Sequence, residues 1–156
     1  MPKEDPKAAK EEPKQSVQTG EGSATRLDDK DLPAYDVAWN SSKLDFGEKG
    51  VFSGQMESVS GTLYTRGKAV SQFKAKLARA SKVDQLLSLE QSVAITSQNP
   101  KGVLSCDSLE WDNKKGVLRA KGNVRFDGES FTVGSAPEIW ATPDLSVIAT
   151  PEQFKP

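Results

Sequence analysis

Apolar and polar residues alternate along most of this chain from Pro33 onward, and a period of two predicts strands rather than helices. The pattern predicts strands near Tyr35–Asn40, Val51–Glu57, Val59–Tyr64, Ala69–Arg79, Leu87–Thr96, Val103–Trp111, Gly116–Phe126, Ser130–Gly134, Glu138–Ala141 and Leu145–Thr150. Turn chemistry separates them: Asn99-Pro-Lys-Gly102, Asp112-Asn-Lys-Lys-Gly116, Asp127-Gly128 and Thr142-Pro-Asp144. Only Ala78–Leu87 has any helical character, and its apolar spacing is weak.

The alternation repeats. Leu87, Leu89, Val93 and Ile95 recur as Leu118, Ala120, Val124 and Phe126, at a constant offset of 31 residues. Upstream, Leu104 matches Phe73, Cys106 matches Ala75, Ser108 matches Leu77 and Trp111 matches Ala80. A repeat unit of strand, turn and returning strand predicts an all-β domain of antiparallel hairpins. Each strand supplies one apolar row, such as Phe73, Ala75 and Leu77, against an outward row such as Gln72, Lys74 and Lys76. Stacked rows make an apolar interior between two sheet faces.

Residues 1–32 have a different texture. Lys, Glu, Asp, Pro, Gln, Gly and Ser dominate, aromatic residues are absent, and Pro2, Pro6 and Pro13 interrupt any helix. That composition predicts a disordered linker or tail over 1–32 and a folded domain over 33–156.

Composition narrows the chemistry. The chain has 156 residues with 21 basic and 22 acidic side chains, so no global field favours nucleic acid. Histidine is absent, which removes the commonest general base and the commonest metal ligand. The lone Cys106 forms no internal disulfide and no zinc cluster. The expectation is a non-enzymatic protein with no catalytic residues, no metal and no cofactor. The carboxylate pairs Glu110/Asp112 and Asp127/Glu129 are the nearest approach to an acid–base site.

The runs Phe73 to Ile95 and Val103 to Phe126, with the step Lys121-Gly-Asn-Val-Arg-Phe126, resemble the OstA-like β-repeats of the lipopolysaccharide-transport periplasmic proteins, the LptA/LptC group. Phe131-Thr-Val-Gly-Ser135 and Pro143-Asp-Leu-Ser-Val147 are similar to the same family, so the resemblance covers roughly residues 55–152. Gln91 departs from it, standing where the second copy has Gly122.

The resemblance implies an open, twisted β-jellyroll in the periplasm, with or without an inner-membrane anchor in the full-length protein. It implies a groove shielding lipopolysaccharide or a similar glycolipid, lined here by Phe73, Leu77, Leu89, Val93, Ile95, Leu118, Val124, Phe126, Phe131 and Val133. It also implies pairing with other β-jellyroll transport proteins and an inner-membrane transporter complex through edge strands. Tyr35, Val37 and Trp39 at one end and Leu145, Val147 and Ala149 at the other are the expected edges. The alternative is a structural or adhesive β-repeat module that binds proteins by strand addition. The two readings differ in whether the interior is an open channel or a packed core.

Overall fold

A computed structural model describes residues 15–46, 52–81 and 86–155. Eleven strands form one open antiparallel sheet: β1 (Gln15–Thr19), β2 (Gly22–Leu27), β3 (Pro33–Trp39), β4 (Ser41–Phe46), β5 (Phe52–Thr65), β6 (Lys68–Ala80), β7 (Leu86–Gln98), β8 (Lys101–Asp112), β9 (Val117–Gly128), β10 (Thr132–Ala141) and β11 (Ile148–Ala149). From β4 to β11 the order follows the sequence, as a chain of hairpins does. No helix occurs among the described residues, and Ala78–Ala80 belongs to β6, while part of the Ala78–Leu87 stretch lies outside them.

Two of the expected gaps between strands are bends within strands. The segments predicted as Val51–Glu57 and Val59–Tyr64 form the single strand β5, apart from Val51, which is outside the described residues. Between them Ser58 takes a left-handed backbone, φ 52°. Likewise Ser130–Gly134 and Glu138–Ala141 contribute to one strand, β10, whose register slips between Val133 and Glu138. The intervening strands slip in line with these, at Lys74/Leu77, Glu90/Val93 and Ser105/Ser108. A row of bulges thus crosses the sheet and folds it into two layers.

At Ser58 the sheet also forks. β5 pairs with β4 through Phe52–Glu57 and with β3 through Ser60–Leu63. One layer therefore holds β1, β4, β11 and the half-strands next to them; the other holds β2, β3 and the remaining halves.

The bulges also keep apolar side chains facing inward across the bend. In β6 the buried positions are Ser71, Phe73 and Ala75 before it, then Ala78 and Ala80 after it. In β8 they are Gly102, Leu104 and Cys106, then Leu109 and Trp111. In β6 and β8 the inward positions change parity at the bend, so without the shift the side chains beyond it would turn to solvent; β7 and β9 keep their parity, with Leu89 and Val93 or Ala120 and Val124 inward on either side. This corrects one sequence expectation: Leu77 does not continue the Phe73–Ala75 row but is half-buried within the bulge, and Ala78 takes the inward place.

The boundary expected at residue 32 is corrected as well. Residues 1–14 lie outside the described residues, but β1 and β2 fall within the segment expected to be a disordered tail. Both join the sheet through backbone pairing, β1 to β4 and β2 to β3, which needs no apolar composition.

Candidate functional site: the apolar interlayer and the sheet edges

Three inward rows can be followed strand by strand. In the first layer, Leu44, Gly54, Ala80, Leu87, Trp111, Leu118 and Ala141 stand opposite one another in succession. Met56, Ala78, Leu89, Leu109, Ala120 and Ile139 form a parallel row. In the second layer the row runs Val37, Gly61, Phe73, Ile95, Leu104, Phe126 and Val133. Two glycines in the second layer stand beside aromatic rings for a steric reason. A Cβ on Gly61 would lie 2.5 Å from the Phe73 ring, and one on Gly128 would lie 2.6 Å from the Phe126 ring. Both glycines leave room for an aromatic ring beside them.

Of the ten residues expected to line a groove, seven lie in one buried cluster: Phe73, Leu89, Val93, Ile95, Leu118, Val124 and Phe126. None of the seven exceeds 4% exposure. Val133 is partly buried against them, and Leu77 sits in the bulge. Phe131 is 55% exposed, with its ring 5.3 Å from that of Phe126. The rows converge, and they meet as packed side chains. Clefts on the described residues are lined by mixed polar and apolar groups; one, of about 870 Å³, runs along β4 beside Gln55, Glu57 and Arg79.

Sequence reasoning missed part of this interior. Leu44, Phe52, Met56 and Leu63 are fully buried members of the same cluster. Leu63 and Met56 were visible as strand residues, but nothing in the repeat pointed to them. Leu44 and Phe46 show the period of two, in a stretch too short and polar to stand out.

Opposite the bend, the layers are joined along a seam of turns by a few polar contacts. Trp111 Nε1 donates to the Ala34 carbonyl at 3.3 Å, and Asn113 Nδ2 donates to the Tyr64 carbonyl at 3.2 Å. The Arg26 guanidinium, 4% exposed, donates to the carbonyls of Ser81 at 2.8 Å and Phe52 at 3.2 Å. The Tyr35 ring meets Phe52 edge-on at 6.2 Å. Burial holds the Tyr35 phenol well above its ordinary pKa, and the neighbouring Arg26 charge offsets this only in part. Burial likewise pushes the Cys106 thiol up to about 12, so it stays protonated opposite Val93.

The edges differ from expectation. Tyr35, Val37 and Trp39 do not form an edge: β3 pairs with β2 on one side and β5 on the other, and the three side chains are buried. The alternation of β3 is that of an internal strand, and its outer neighbour β2 was hidden in the polar segment. At the other end, Leu145 and Val147 are not in a strand. Leu145 is 3% exposed in a turn at φ 63°, which leaves β11 only Ile148 and Ala149. Among the described residues, then, β1 and β2 are the outermost strands at one end. At the other, β10 is paired by β11 only at Trp140 and Ala141.

The suspected acid–base pair is engaged in an ion pair. Arg119 Nη1 contacts Glu110 Oε1 at 2.6 Å, and its Nη2 contacts Asp112 Oδ2 at 3.0 Å. Partial burial works against the Arg119 charge, but the two carboxylates outweigh it and raise the pKa. The guanidinium also lies 5.2 Å from the centre of the Trp140 ring, which Phe154 meets at 6.1 Å. This cluster fastens β8, β9, β10 and the C-terminal segment on the outer face. Asp127 and Glu129 are exposed beside their turn. No group of three His, Cys, Asp or Glu side chains suited to a metal occurs among the described residues.

No protein-family model matches the chain, and a search of curated proteins returns no match.

Proposed function

We propose that the chain is a non-enzymatic carrier and bridge segment for an acylated glycolipid of the lipopolysaccharide kind, working in the periplasm. In this reading the two layers part along the seam to admit acyl chains, and the outer strands recruit neighbouring β-jellyrolls. The observation that supports it is the set of apolar rows crossing the interlayer, with polar contacts from Trp111 to Ala34 and from Asn113 to Tyr64 along the seam among the described residues. Shielding a chain of about twelve carbons from water is worth on the order of 10 kcal/mol, which offsets the exposure of a few parted side chains at about 1.5–3 kcal/mol each. The family likeness in Lys121–Phe126 and Phe131–Ser135 supplies the class of cargo.

A second reading, a scaffold that binds proteins by strand addition, is favoured by one specific observation. The inward side chains already shield one another, with Phe73, Val93 and Val124 at most 1% exposed. Photocrosslinking separates the two. A photoreactive residue at Phe73, Val93 or Val124 is expected to capture lipopolysaccharide, while one at Lys74, Ala94 or Arg125 is not. Equal capture by both sets, or capture by neither, removes the carrier reading and leaves the scaffold.

A further inference from the structure

Three turns from both layers meet on the seam and enclose a cleft of about 560 Å³. They are the β2–β3 turn with Asp28, Asp29, Lys30 and Leu32, the β5–β6 turn with Thr65 and Arg66, and the β8–β9 turn with Asn113, Lys114, Lys115 and Gly116. Four cations therefore face two carboxylates, in a chain whose net charge is −1.

The carboxylates are already engaged. Asp28 Oδ1 accepts from the amides of Lys30 at 2.8 Å and Leu32 at 3.0 Å, which fixes the β2–β3 turn. Asp29 pairs loosely with Lys114 at 3.9 Å, both well exposed. Lys30, Arg66 and Lys115 make no ion pair with the described residues. Arg66 is held in a left-handed turn conformation at φ 53°, and Lys115 follows from the Asp112 cap, whose Oδ1 accepts its amide at 3.0 Å. Beside this charge lies Leu32, 38% exposed, with its methyls 3.4 Å from where a Cβ on Gly67 would sit. Cations carried on separate turns beside an exposed apolar side chain, over the line where two apolar layers meet, suit an anion attached to something greasy.

We propose that this cleft receives the phosphate groups of the glycolipid headgroup, with Lys30, Arg66 and Lys115 as its contacts, while the acyl chains enter the seam below. The inference rests on the carrier reading and specifies where the polar end of the cargo sits. Its test uses a headgroup without acyl chains, so it fails or succeeds independently of interior crosslinking.

The experiment is a titration of the isotope-labelled full chain, followed by amide NMR, with a deacylated bis-phosphorylated glucosamine disaccharide. The same sugar without phosphates, inorganic phosphate alone, and phosphatidylglycerol vesicles are the comparison arms. The phosphorylated sugar is expected to shift Leu32, Arg66 and Gly116, and to bind about tenfold more weakly to the K30Q/R66Q/K115Q variant, ~1.4 kcal/mol at 25 °C. The outer-face control K74Q/K76Q/R125Q keeps the wild-type affinity. Binding by the dephosphorylated sugar, shifts mapping elsewhere, or an equal loss in the control overturns the proposal. Equal affinity for inorganic phosphate, or tighter binding to the vesicles, overturns it in favour of those sources.

Discussion

Exchanging Gly122 for glutamine puts into β9 the residue that β7 already carries at the same place in the 31-residue repeat. The two sites share a backbone: Gln91 and Ser92 lie at φ 69° and 55°, Gly122 and Asn123 at 83° and 48°. The left-handed conformation costs a side-chain-bearing residue about 1–2 kcal/mol. Roughly 0.4–1 kcal/mol is recovered because the unfolded chain loses the freedom of glycine. The local surroundings differ, however. A Cβ at 122 would lie 2.7 Å from Asp107 Oδ2, the atom that accepts from Asn123 Nδ2 at 2.9 Å. Moving Asp107 forfeits that exposed hydrogen bond, a further ~0.5–1 kcal/mol. The G122Q variant is therefore expected to lose about 1–2 kcal/mol in urea unfolding, with an unchanged slope. The reverse change, Q91G, relieves strain with no comparable clash and is expected to gain up to about 1 kcal/mol. If G122Q is neutral, or Q91G destabilises by more than about 0.5 kcal/mol, the claim that the two bulges are equivalent is wrong.

Other expectations follow from the same geometry. Trp111→Phe removes the Nε1 donor to Ala34 and leaves a void in the interior, so chemical denaturation should show a loss of about 2 kcal/mol; a loss below about 0.5 kcal/mol would mean the seam contact is idle. Asp144 is partly buried, which works against its charge, but hydrogen bonds from Ser146 and Thr142 prevail and lower its pKa. Its contribution is thus complete above the unfolded value of about 3.9 and is lost as pH falls through the lower folded value. The acid side of the stability profile should flatten in D144N, and a profile parallel to wild type would contradict this. Under the proposed edge pairing, Ser23→Lys, which places a charge on the exposed face of the outer strand β2, should weaken concentration-dependent association in sedimentation without changing stability by more than about 0.5 kcal/mol; a wild-type chain that does not associate, or undiminished association of the variant, would exclude β2 as the joining edge.

Which features were legible in the sequence depended on what each strand needs from its side chains. The hairpins from β6 to β9 were readable because each buries one face, so Phe73, Leu89, Leu104 and Val124 had to alternate with polar neighbours. The bends were misread as gaps because Ser58 and the Gly134–Pro137 stretch interrupt the pattern in the way a turn does. A bulge and a turn look alike until the partner strand is seen. β1 and β2 were concealed for the opposite reason: a strand at the margin of a sheet is specified by backbone bonding, and Gln, Ser, Thr and Gly meet that need. The interior of the candidate site was therefore foreseeable and its margins were not. Arg26, which ties the margin to the seam, sits in a segment whose composition gave no sign of it.

The line of bulges has a consequence for how such a chain can change length. Across the bend the inward positions are three apart in β6 (Ala75 and Ala78) and β8 (Cys106 and Leu109) but four apart in β7 (Leu89 and Val93) and β9 (Ala120 and Val124), so deleting one residue from the bend of a single strand would spoil its match to both neighbours. Losing or gaining a complete hairpin preserves the inside–outside assignment of every other residue. Length variation in relatives of this chain should therefore come in steps of about one repeat, with single-residue gaps confined to the outer turns.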